Sequence, residues 1–541
     1  MLNRDHELVP TIGDHGFPRV LRLVLQILAV IWSVFPTRFS VMFCVAGILL
    51  GAIVGGMAVI LPIQDLFAPL SLTGIVVILT FLTFPEMRKV PIRAVIPTFF
   101  AFVIVEMTLP NYLAITAPGL PFVSIIRVFF IATASPFLIS IAGSSDVRHR
   151  IKTALSSDKP MCYAIFGLFI AFALSIPTSV NHLTSIKYFL NIVIMWMLPF
   201  LLCVFVVDTE ERQERFLRVL VLCAIFAVGL SSIEYFAHQR LFAHLVPQSV
   251  FDKDPTFAMS LFGTEFRGGR YRAEAHFTEP LDFSEYCSLI LPIALYFIVY
   301  CRNMLDRIIG LSGALAMLFG LYFANSRGGV AGAIIGTAVF VLLFIIKAAI
   351  RRKSSFIGLI LAATLPVTFS IIPAMMLLSH RFAIQITGGG EGALSNQARF
   401  NQWHMAWPHI ISRPLTGSGI GNAADVVGYI STATLTLDSY PLTLLVDSGV
   451  LGLTAFYAIF GILLWRSVKL YPRDMSPTSD KAIALVSAFA AFLIQLPALS
   501  QTENFTNIFM LIGVFIALEN IHRRQIKFMP SISPAPTNSF G

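Results

Sequence analysis

The chain has 541 residues, of which 56% are hydrophobic and only 12% are charged, and its mean hydropathy is +0.80. A soluble protein needs about a quarter of its residues charged to cover its surface, so this composition excludes a water-soluble globular protein. The net charge of +9 does not indicate nucleic-acid binding, because the basic residues stand in short clusters between apolar runs, as they do in membrane proteins.

Apolar runs long enough to cross a bilayer recur along the chain, since a helix needs about 20 apolar residues to span the hydrocarbon core. They predict an all-α polytopic membrane protein with about 12–14 transmembrane helices. The spans are expected near 40–62, 70–84, 94–110, 120–142, 161–178, 186–207, 217–236, 283–300, 308–324, 329–347, 355–378, 447–465, 481–498 and 505–519. The first apolar stretch, at 21–35, is short and flanked by arginines, which favours an interfacial helix.

The basic clusters predict the orientation of these spans. If the N-terminus is cytoplasmic and the spans alternate, the clusters all fall on the inner side; they lie at 88–93, 148–152, 212–218, 302–307, 347–353, 466–473 and 523–524. Both termini are therefore expected in the cytoplasm, with two long loops on the outer face.

This alternation gives the domain organisation. We expect a cytoplasmic N-terminus with an interfacial helix at 1–39, a transmembrane bundle at 40–236, a first periplasmic loop at 237–282, further transmembrane helices at 283–378, a large periplasmic loop with short interfacial helices at 379–446, C-terminal transmembrane helices at 447–519 and a disordered cytoplasmic tail at 520–541. The six cysteines lie in or beside apolar runs without a CxxC pair, so neither a metal site nor a disulfide framework is expected.

Arginine recurs on the predicted outer face, against the topological bias. The residues concerned are Arg267, Arg270 and Arg272 in the first loop, Arg327 in a short turn, and Arg381, Arg399 and Arg413 in the second loop. Guanidinium groups suit bidentate recognition of phosphate or carboxylate. The alternative is a set of ordinary salt bridges with Glu265, Glu274, Glu279 or Asp282.

Arg327 stands in the turn Asn325-Ser326-Arg327-Gly328-Gly329 at the membrane surface. The glycines allow close approach of a ligand to the backbone, and a lipid-linked pyrophosphate would present its charge at that depth. The alternative is an arginine that snorkels to lipid headgroups. Glu106 and Arg127, near the outer ends of two spans, are expected to form a structural ion pair.

The second loop carries three further features. Phe400, Trp403 and Trp407 follow helical spacing and predict an amphipathic helix at the interface. Gly417, Gly419 and Gly421 form a turn whose amides could face phosphate, although a plain turn is the more common outcome. Asp438 could be a general base for a sugar hydroxyl, but spacing alone favours an N-cap of the following helix.

The order of these motifs resembles the O-antigen ligase and Wzy-type polymerase family of surface-polysaccharide assembly. Ser326-Arg327-Gly328 resembles the family's Ser-Arg-Gly turn, and Arg399 with Trp403, Pro414 and Gly417-Ser418-Gly419 resembles its large periplasmic loop. The segment 447–452 resembles the Glu-x-Gly-x-x-Gly entry to the next span, and Arg272 to Pro280 resembles an upstream Arg…Phe…Pro segment, here with Phe277 and Glu279-Pro280.

The resemblance implies an inverting, metal-independent glycosyltransferase without cofactor in the bacterial inner membrane. Its donor would be a glycan on undecaprenyl pyrophosphate, and its surroundings would include membrane lipid, a flippase and a chain-length regulator. Arg327 and Arg399 would stabilise the leaving group, with Asp438 as base. The expected substrate contacts are Arg267, Arg270, Arg272, Glu279, Trp403, Gly417 and Gly419.

One departure from the family bears on the reaction. Family ligases carry a histidine where this chain has Asp438, nine residues before Asp447. The resemblance therefore favours a polymerase over a ligase. A lipid-linked oligosaccharide flippase, the alternative from another class, should carry charges along several spans, and the unusual charges here gather on one face.

Overall fold

The computed structural model describes residues 85–87, 89–115, 123–245, 266–352, 391–431, 434–469, 477–500 and 503–528. Helices dominate this part of the chain, which confirms the all-α polytopic fold. Nine of the described helices are long and apolar enough to cross a membrane, and a bent pair makes a tenth candidate. The predicted spans at 40–62, 70–84 and 355–378, the interfacial helix at 21–35, Glu265 and Arg381, and most of the C-terminal tail lie outside the described residues.

Each predicted span within the described residues overlaps at least one helix. The helices are α1 (Ile92–Glu106), α2 (Ile125–Gly143), α3 (Ser145–Ser156), α4 (Lys159–Ser175), α5 (His182–Ile192), α6 (Leu198–Val206), α7 (Glu210–Ala237), α8 (Pro280–Tyr300), α9 (Met304–Ala324), α10 (Arg327–Arg352), α11 (Glu391–Ser412), α12 (Ala423–Val427), α13 (Tyr440–Lys469), α14 (Pro477–Leu493) and α15 (Phe505–Phe528). A π-helical turn, Val193–Met197, joins α5 to α6. The bent pair is α3 and α4, whose axes meet at 103°.

Three two-stranded antiparallel hairpins shape the loops. They are β1 (Ala114–Ile115) with β2 (Val123–Ser124), β3 (Phe266–Arg267) with β4 (Arg270–Tyr271), and β5 (Ile430–Ser431) with β6 (Thr434–Leu435). The β3–β4 hairpin turns through Gly268 and Gly269, both at positive φ. This turn type favours glycine, because a side chain is strained at those dihedral angles.

The chain divides into two compact units, Met1–Ala94 with Ser135–Val147 and Val95–Ala134 with Arg148–Gly541. In the first unit, the N–H of Met87 donates to the carbonyl of Gly143 at 2.8 Å. The second unit contains the residues discussed below. Its helices pack closely where residues are small: a Cβ on Gly313 of α9 would lie 2.5 Å from the Val221 side chain of α7, so only glycine fits there.

Ion pairs involve basic residues of the predicted cytoplasmic clusters at one end of the second unit. Arg218 contacts Asp306 at 2.7 Å, and Lys347 contacts Asp480 at 2.6 Å. Arg466 contacts the fully buried Asp158, which also caps α4, at 2.8 Å. These pairs bring charges from six separate segments together, as expected if the spans alternate in the predicted sense.

Candidate functional site

Three arginines from separate segments converge at the other end of the helices. Arg267 lies on β3, Arg327 begins α10, and Arg399 lies on α11. The guanidinium of Arg327 is within electrostatic range of those of Arg267 and Arg399. Like charges held together in a partly buried site repel each other, so the fold maintains this arrangement at a cost that an anion would offset.

The end of α9 anchors the β3–β4 hairpin that carries Arg267. Asn325 ends α9 in a left-handed conformation, and its Nδ2 donates to the carbonyl of Arg267 at 3.1 Å. Arg272 Nε donates to the carbonyl of Ala324 at 3.1 Å, and the N–H of Ala273 donates to Phe323 at 3.0 Å. The hairpin is therefore fixed against the turn that precedes Arg327.

Arg272 and Arg270, both predicted to contact the substrate, lie in different surroundings. Arg272, predicted to contact phosphate or glycan, is only 9% exposed and directs its Nε to the end of α9, so it supports the hairpin. Arg270 is exposed, and its guanidinium carbon lies 5.4 Å from the centre of the Tyr322 ring. Arg270 thus remains available at the surface beside an aromatic ring.

The Ser-Arg-Gly turn places Arg327 at the first position of a transmembrane helix. Ser326 is buried and its Oγ accepts from the N–H of Gly329 at 3.4 Å, as an N-cap does. Gly329 serves helix packing, because a Cβ there would lie 2.5 Å from the Cβ of Ser284 on α8. Arg327 itself is half-buried, at a helix N-terminus whose dipole also favours an anion.

Arg399 is held by two hydrogen bonds that leave one of its nitrogens unsatisfied. Its Nη2 donates to the carbonyl of Ala498 at 3.3 Å and its Nη1 to Asn396 Oδ1 at 3.4 Å. Its Nε is buried and has no hydrogen-bond partner among the described residues. Burial lowers the pKa of Arg399, the carboxylate of Asp438 opposes this shift, and the guanidinium of Arg267 adds to it.

Asp438 lies in the loop before α13, within electrostatic range of Arg399. Its Oδ1 accepts from Thr436 Oγ1 at 2.8 Å, and its Oδ2 accepts from Gln402 Nε2 at 3.3 Å. The N-cap interpretation does not fit this geometry, because α13 begins at Tyr440 and the carboxylate bonds to side chains. Asp438 is half-buried, so its carboxylate remains accessible.

Helix α11 confirms the predicted amphipathic segment and extends it to 22 residues. Gln402, Ala406 and Ile410 form its buried face, which packs against α12 and α13. Phe400, Trp403 and Trp407 lie on the exposed face, and Trp403 is 37% exposed. Exposed aromatic side chains at this end of the spans are typical of the membrane interface. Sequence reasoning missed Gln402, whose spacing with positions 406 and 410 could have identified a buried face.

The glycine turn does not present its amides to a ligand, contrary to the phosphate-binding hypothesis. The N–H of Gly417 donates to Arg413 at 3.1 Å and that of Gly419 to Asp447 at 3.0 Å, both through backbone carbonyls. A Cβ on Gly417 would lie 2.5 Å from the carbonyl of Asp447, and one on Gly419 would lie 2.3 Å from the Ser179 side chain. These glycines pack the loop against neighbouring backbone.

The carboxylate of Asp447 accepts hydrogen bonds from the remaining amides of the glycine turn, so these amides are not available to a ligand. Its Oδ2 accepts from the N–H of Gly421 at 2.8 Å and its Oδ1 from the N–H of Asn422 at 3.0 Å. Asp447 is 4% exposed, and these amides lie immediately before α12, which begins at Ala423. The internal carboxylate therefore occupies the place that an external phosphate would take. Arg413, another predicted outer arginine, donates to the carbonyl of Thr178 and is likewise structural.

Acidic residues gather around the start of α8. Glu279 precedes the first residue of α8, and Asp282 is within electrostatic range of Glu279, Glu285 and Glu503. Glu503 accepts from the N–H and Oγ1 of Thr278 at 3.1 and 2.7 Å, and burial raises its pKa. Among the described residues, no group of three or more histidine, cysteine or acidic side chains has the geometry to hold a metal ion.

The structure corrects one expected ion pair and identifies the partner of another acidic residue. The carboxylate of Glu106 lies beside Glu503 and accepts a hydrogen bond from Thr506, so the predicted pair with Arg127 is wrong. Glu274 does pair with an arginine, but with the buried Arg240, which also donates to the carbonyl of Thr278 at 2.8 Å. Sequence reasoning missed Arg240, because a single arginine after a span does not reveal its partner.

Comparisons with known proteins agree with this architecture. Residues 312–457 match the family model described as O-antigen ligase. That segment includes Arg327, Arg399, Asp438 and Asp447, together with the second half of α9. The match confirms the resemblance identified from the motifs. The chain is also 20% identical over 371 residues, or 67% of its length, to the teichuronic acid biosynthesis protein TuaE of Bacillus subtilis (strain 168), of which 70% is covered.

Proposed function

From the match to the O-antigen ligase family, we propose that this chain is a membrane glycosyltransferase that polymerises undecaprenyl-pyrophosphate-linked repeat units on the periplasmic face of the inner membrane. The observation that carries this proposal is the convergence of Arg267, Arg327 and Arg399 beside Asp438. Three cations and one accessible carboxylate provide the two functions that the reaction requires, namely stabilisation of the leaving group and removal of a proton.

The arginines support a pyrophosphate-binding role through charge and position. Arg327 and Arg399 are partly buried, where an interaction with an anion is stronger than in water. Their mutual repulsion, which Arg267 increases, favours a ligand with more than one negative charge. Guanidinium forks also match the geometry of phosphate oxygens. A diphosphate at the membrane surface fulfils these conditions.

The reaction then proceeds as a single displacement. Asp438 accepts the proton of an acceptor sugar hydroxyl as that oxygen forms a bond to the anomeric carbon of the donor. The bond between that carbon and the pyrophosphate oxygen breaks, and the electron pair leaves with the lipid pyrophosphate. The guanidinium groups stabilise the charge that grows on this oxygen, so the proposed mechanism is inverting and independent of metal.

Polymerisation is favoured over ligation by the residue at position 438. The family's ligases carry histidine there, and this chain carries an aspartate held by Gln402 and Thr436. In the proposed reaction the growing chain moves from its carrier onto a new lipid-linked unit, and a flippase and a chain-length regulator act in the same assembly. A ligase that transfers finished polysaccharide to another acceptor is the second candidate, because the family model bears that name.

The proposed orientation places the arginine site outside and the ion pairs inside. Arg218, Lys347 and Arg466 form ion pairs at one end of the helices, and Arg327 and Arg399 lie at the other. The positive-inside rule assigns the first end to the cytoplasm. Labelling of single cysteines at positions 327 and 399 with an impermeant thiol reagent tests this assignment, and labelling only after the membrane is permeabilised would contradict it.

Arg327→Ala and Arg399→Ala test the proposed function in the native host. We expect each variant to abolish long-chain polysaccharide while immunoblotting shows normal protein levels, and Arg215→Ala, an exposed arginine of the opposite end, to preserve it. Accumulation of single repeat units on the carrier supports a polymerase, and accumulation of long carrier-linked chains supports a ligase. Full-length product from Arg327→Ala would remove the basis of the proposal.

A further inference from the structure

An apolar groove opens on the lipid-facing side of the second unit, directly beside the arginine hairpin. It has a volume of about 540 Å³ and lies between the last turn of α7 and the last turns of α9. Its lining consists of Tyr235, Phe236, Leu315, Leu318, Phe319, Tyr322 and Phe323. Leu318 is 55% exposed and Phe236 is 76% exposed, so among the described residues the groove is uncovered.

Aromatic contacts give the groove a fixed wall. The ring centres of Tyr235 and Phe323 are 4.9 Å apart, and those of Tyr235 and Tyr322 are 5.9 Å apart, so the side chains of α7 and α9 pack across the helix boundary. Aromatic side chains have few rotatable bonds, and such pairs hold a defined shape. A preformed concave apolar surface binds an apolar ligand better than a flat helix face does.

The outer end of the groove is closed by a cation. Arg270 lies over the ring of Tyr322, with its guanidinium carbon 5.4 Å from the ring centre. The hairpin that carries Arg270 is fixed to the same end of α9 through Arg272 and Asn325. Arg327 follows Tyr322 by only five residues. The apolar groove therefore ends beside Arg270, on the hairpin that also carries Arg267.

An apolar groove next to a cation complements an amphiphile with a strongly anionic head and a long apolar tail. We propose that the groove between α7 and α9 binds the polyprenyl tail of the diphosphate donor, whose head lies at Arg267, Arg327 and Arg399. The inference rests on the proposed function and adds to it the path of the donor. The lipid enters sideways from the bilayer, and Arg270 contacts its head before the head reaches Arg327.

The test uses the full chain in phosphatidylcholine nanodiscs. The probe is geranylgeranyl diphosphate with a photoreactive diazirine at the end of its tail, and labelled peptides are mapped by mass spectrometry. Leu318→Trp fills the groove, and Leu174→Trp is the matched control, because Leu174 is 50% exposed on α4 and does not line the groove. Binding of inorganic pyrophosphate, measured by calorimetry, reports on the arginines alone.

We expect labelling of the peptides that contain residues 235–236 and 315–323. Leu318→Trp should reduce this labelling about tenfold, because the indole displaces part of the buried tail. Pyrophosphate binding should be unchanged in Leu318→Trp and lost in Arg327→Ala, and Leu174→Trp should resemble the wild type in both measurements.

Two results would refute the proposal that the groove binds the polyprenyl tail. One is labelling that Leu318→Trp leaves intact. The other is equal labelling by uncharged geranylgeraniol diazirine, which would show that the groove takes any bilayer lipid. The proposed function would survive either result as long as Arg327→Ala still loses pyrophosphate binding. If Arg327→Ala instead keeps that binding, the proposed function fails whatever the groove holds.

Discussion

The side-chain amide of Gln402 forms two hydrogen bonds with Asp438. Its Nε2 donates to the Asp438 carboxylate at 3.3 Å, and its Oε1 accepts from the backbone N–H of Asp438 at 2.9 Å. Gln402 is fully buried on α11, so the helix fixes the position of the proposed base relative to Arg399, which lies one turn earlier on the same helix. Gln402 is a positioning residue, because it reaches the reaction through Asp438.

The first prediction concerns this pair. Gln402→Ala should reduce kcat roughly 10- to 100-fold with a smaller change in KM, because general-base catalysis contributes about 10²–10⁴-fold and the base is displaced but present. The matched control is Gln397→Ala, which alters an exposed residue of the same helix and should leave the rate unchanged. Equal loss in both variants would indicate a general defect of α11.

The second prediction concerns Asp438 itself. Asp438→Asn should lower the transfer rate at least about 10²-fold, because the amide cannot accept the proton of the acceptor hydroxyl. Asp438→Glu should retain more activity than Asp438→Asn. Asp425→Asn, an exposed carboxylate of the same loop, serves as the control. The assay is polymer length from purified protein and lipid-linked units, and unchanged chain lengths in Asp438→Asn would exclude the base role.

The third prediction separates backbone strain from close packing in the glycine turn. Gly417 and Gly428 both have positive φ, of 69° and 67°, but a Cβ meets the backbone of Asp447 only at Gly417. Both substitutions by alanine should cost about 1 kcal/mol through the backbone, and Gly417→Ala should cost roughly 1–3 kcal/mol more. Thermal unfolding followed by a dye that reacts with the buried cysteines measures the difference. Equal melting temperatures would show that the loop can move away.

The fourth prediction assigns Asp447 to structure. Asp447→Asn replaces one carboxylate oxygen by an amide donor that faces a backbone N–H, and it should cost about 1.5–3 kcal/mol in stability because Gly421 and Asn422 donate to this carboxylate. Asp425→Asn again provides the control. The catalytic rate per folded molecule should remain near the wild-type value, so a variant with normal stability and no activity would contradict the assignment.

The fifth prediction concerns pH. Burial raises the pKa of Glu503, so the folded protein holds this proton more tightly than the unfolded chain, and stability is lost as pH rises from the ordinary value through the raised one. Glu503→Gln mimics the protonated form. It should melt about 1–2 °C higher than the wild type at pH 8, with no difference near pH 4. Glu211→Gln, with a side chain 82% exposed, should show no such dependence. A constant offset at both pH values would refute the ionisation argument.

The sequence predicted the helices well because each span depends on local composition. Every predicted span within the described residues overlaps a helix, although α7 and α13 each begin seven residues earlier than predicted and α15 ends nine residues later. Arg327 and Arg399 converge as the sidedness of their segments required. Sidedness alone limits which loops can meet, since segments on opposite faces of a bilayer cannot share a site.

The errors concern partners that only tertiary structure reveals. The amides of Gly417 and Gly419 bond to carbonyls of the chain, and Glu106 lies beside Glu503, almost 400 residues away. A glycine pattern is the same whether the backbone approaches a phosphate or another part of the protein. The sequence did not predict a role for Gln402 for a similar reason, because its hydrogen-bond partner, Asp438, lies 36 residues further along the chain.

The buried glycines and the exposed face of α11 differ in how well they tolerate amino-acid substitution. Gly417 and Gly449, called here the glycine edge, cannot be replaced by a larger residue without movement of the chain. A Cβ at either position would fall within 2.5 Å of neighbouring backbone. The outward face of α11, with Phe400 and Trp407 more than half exposed, carries no such constraint. Divergence toward new sugar acceptors, in nature or in the laboratory, is therefore expected to accumulate on that outward face while the glycine edge stays fixed.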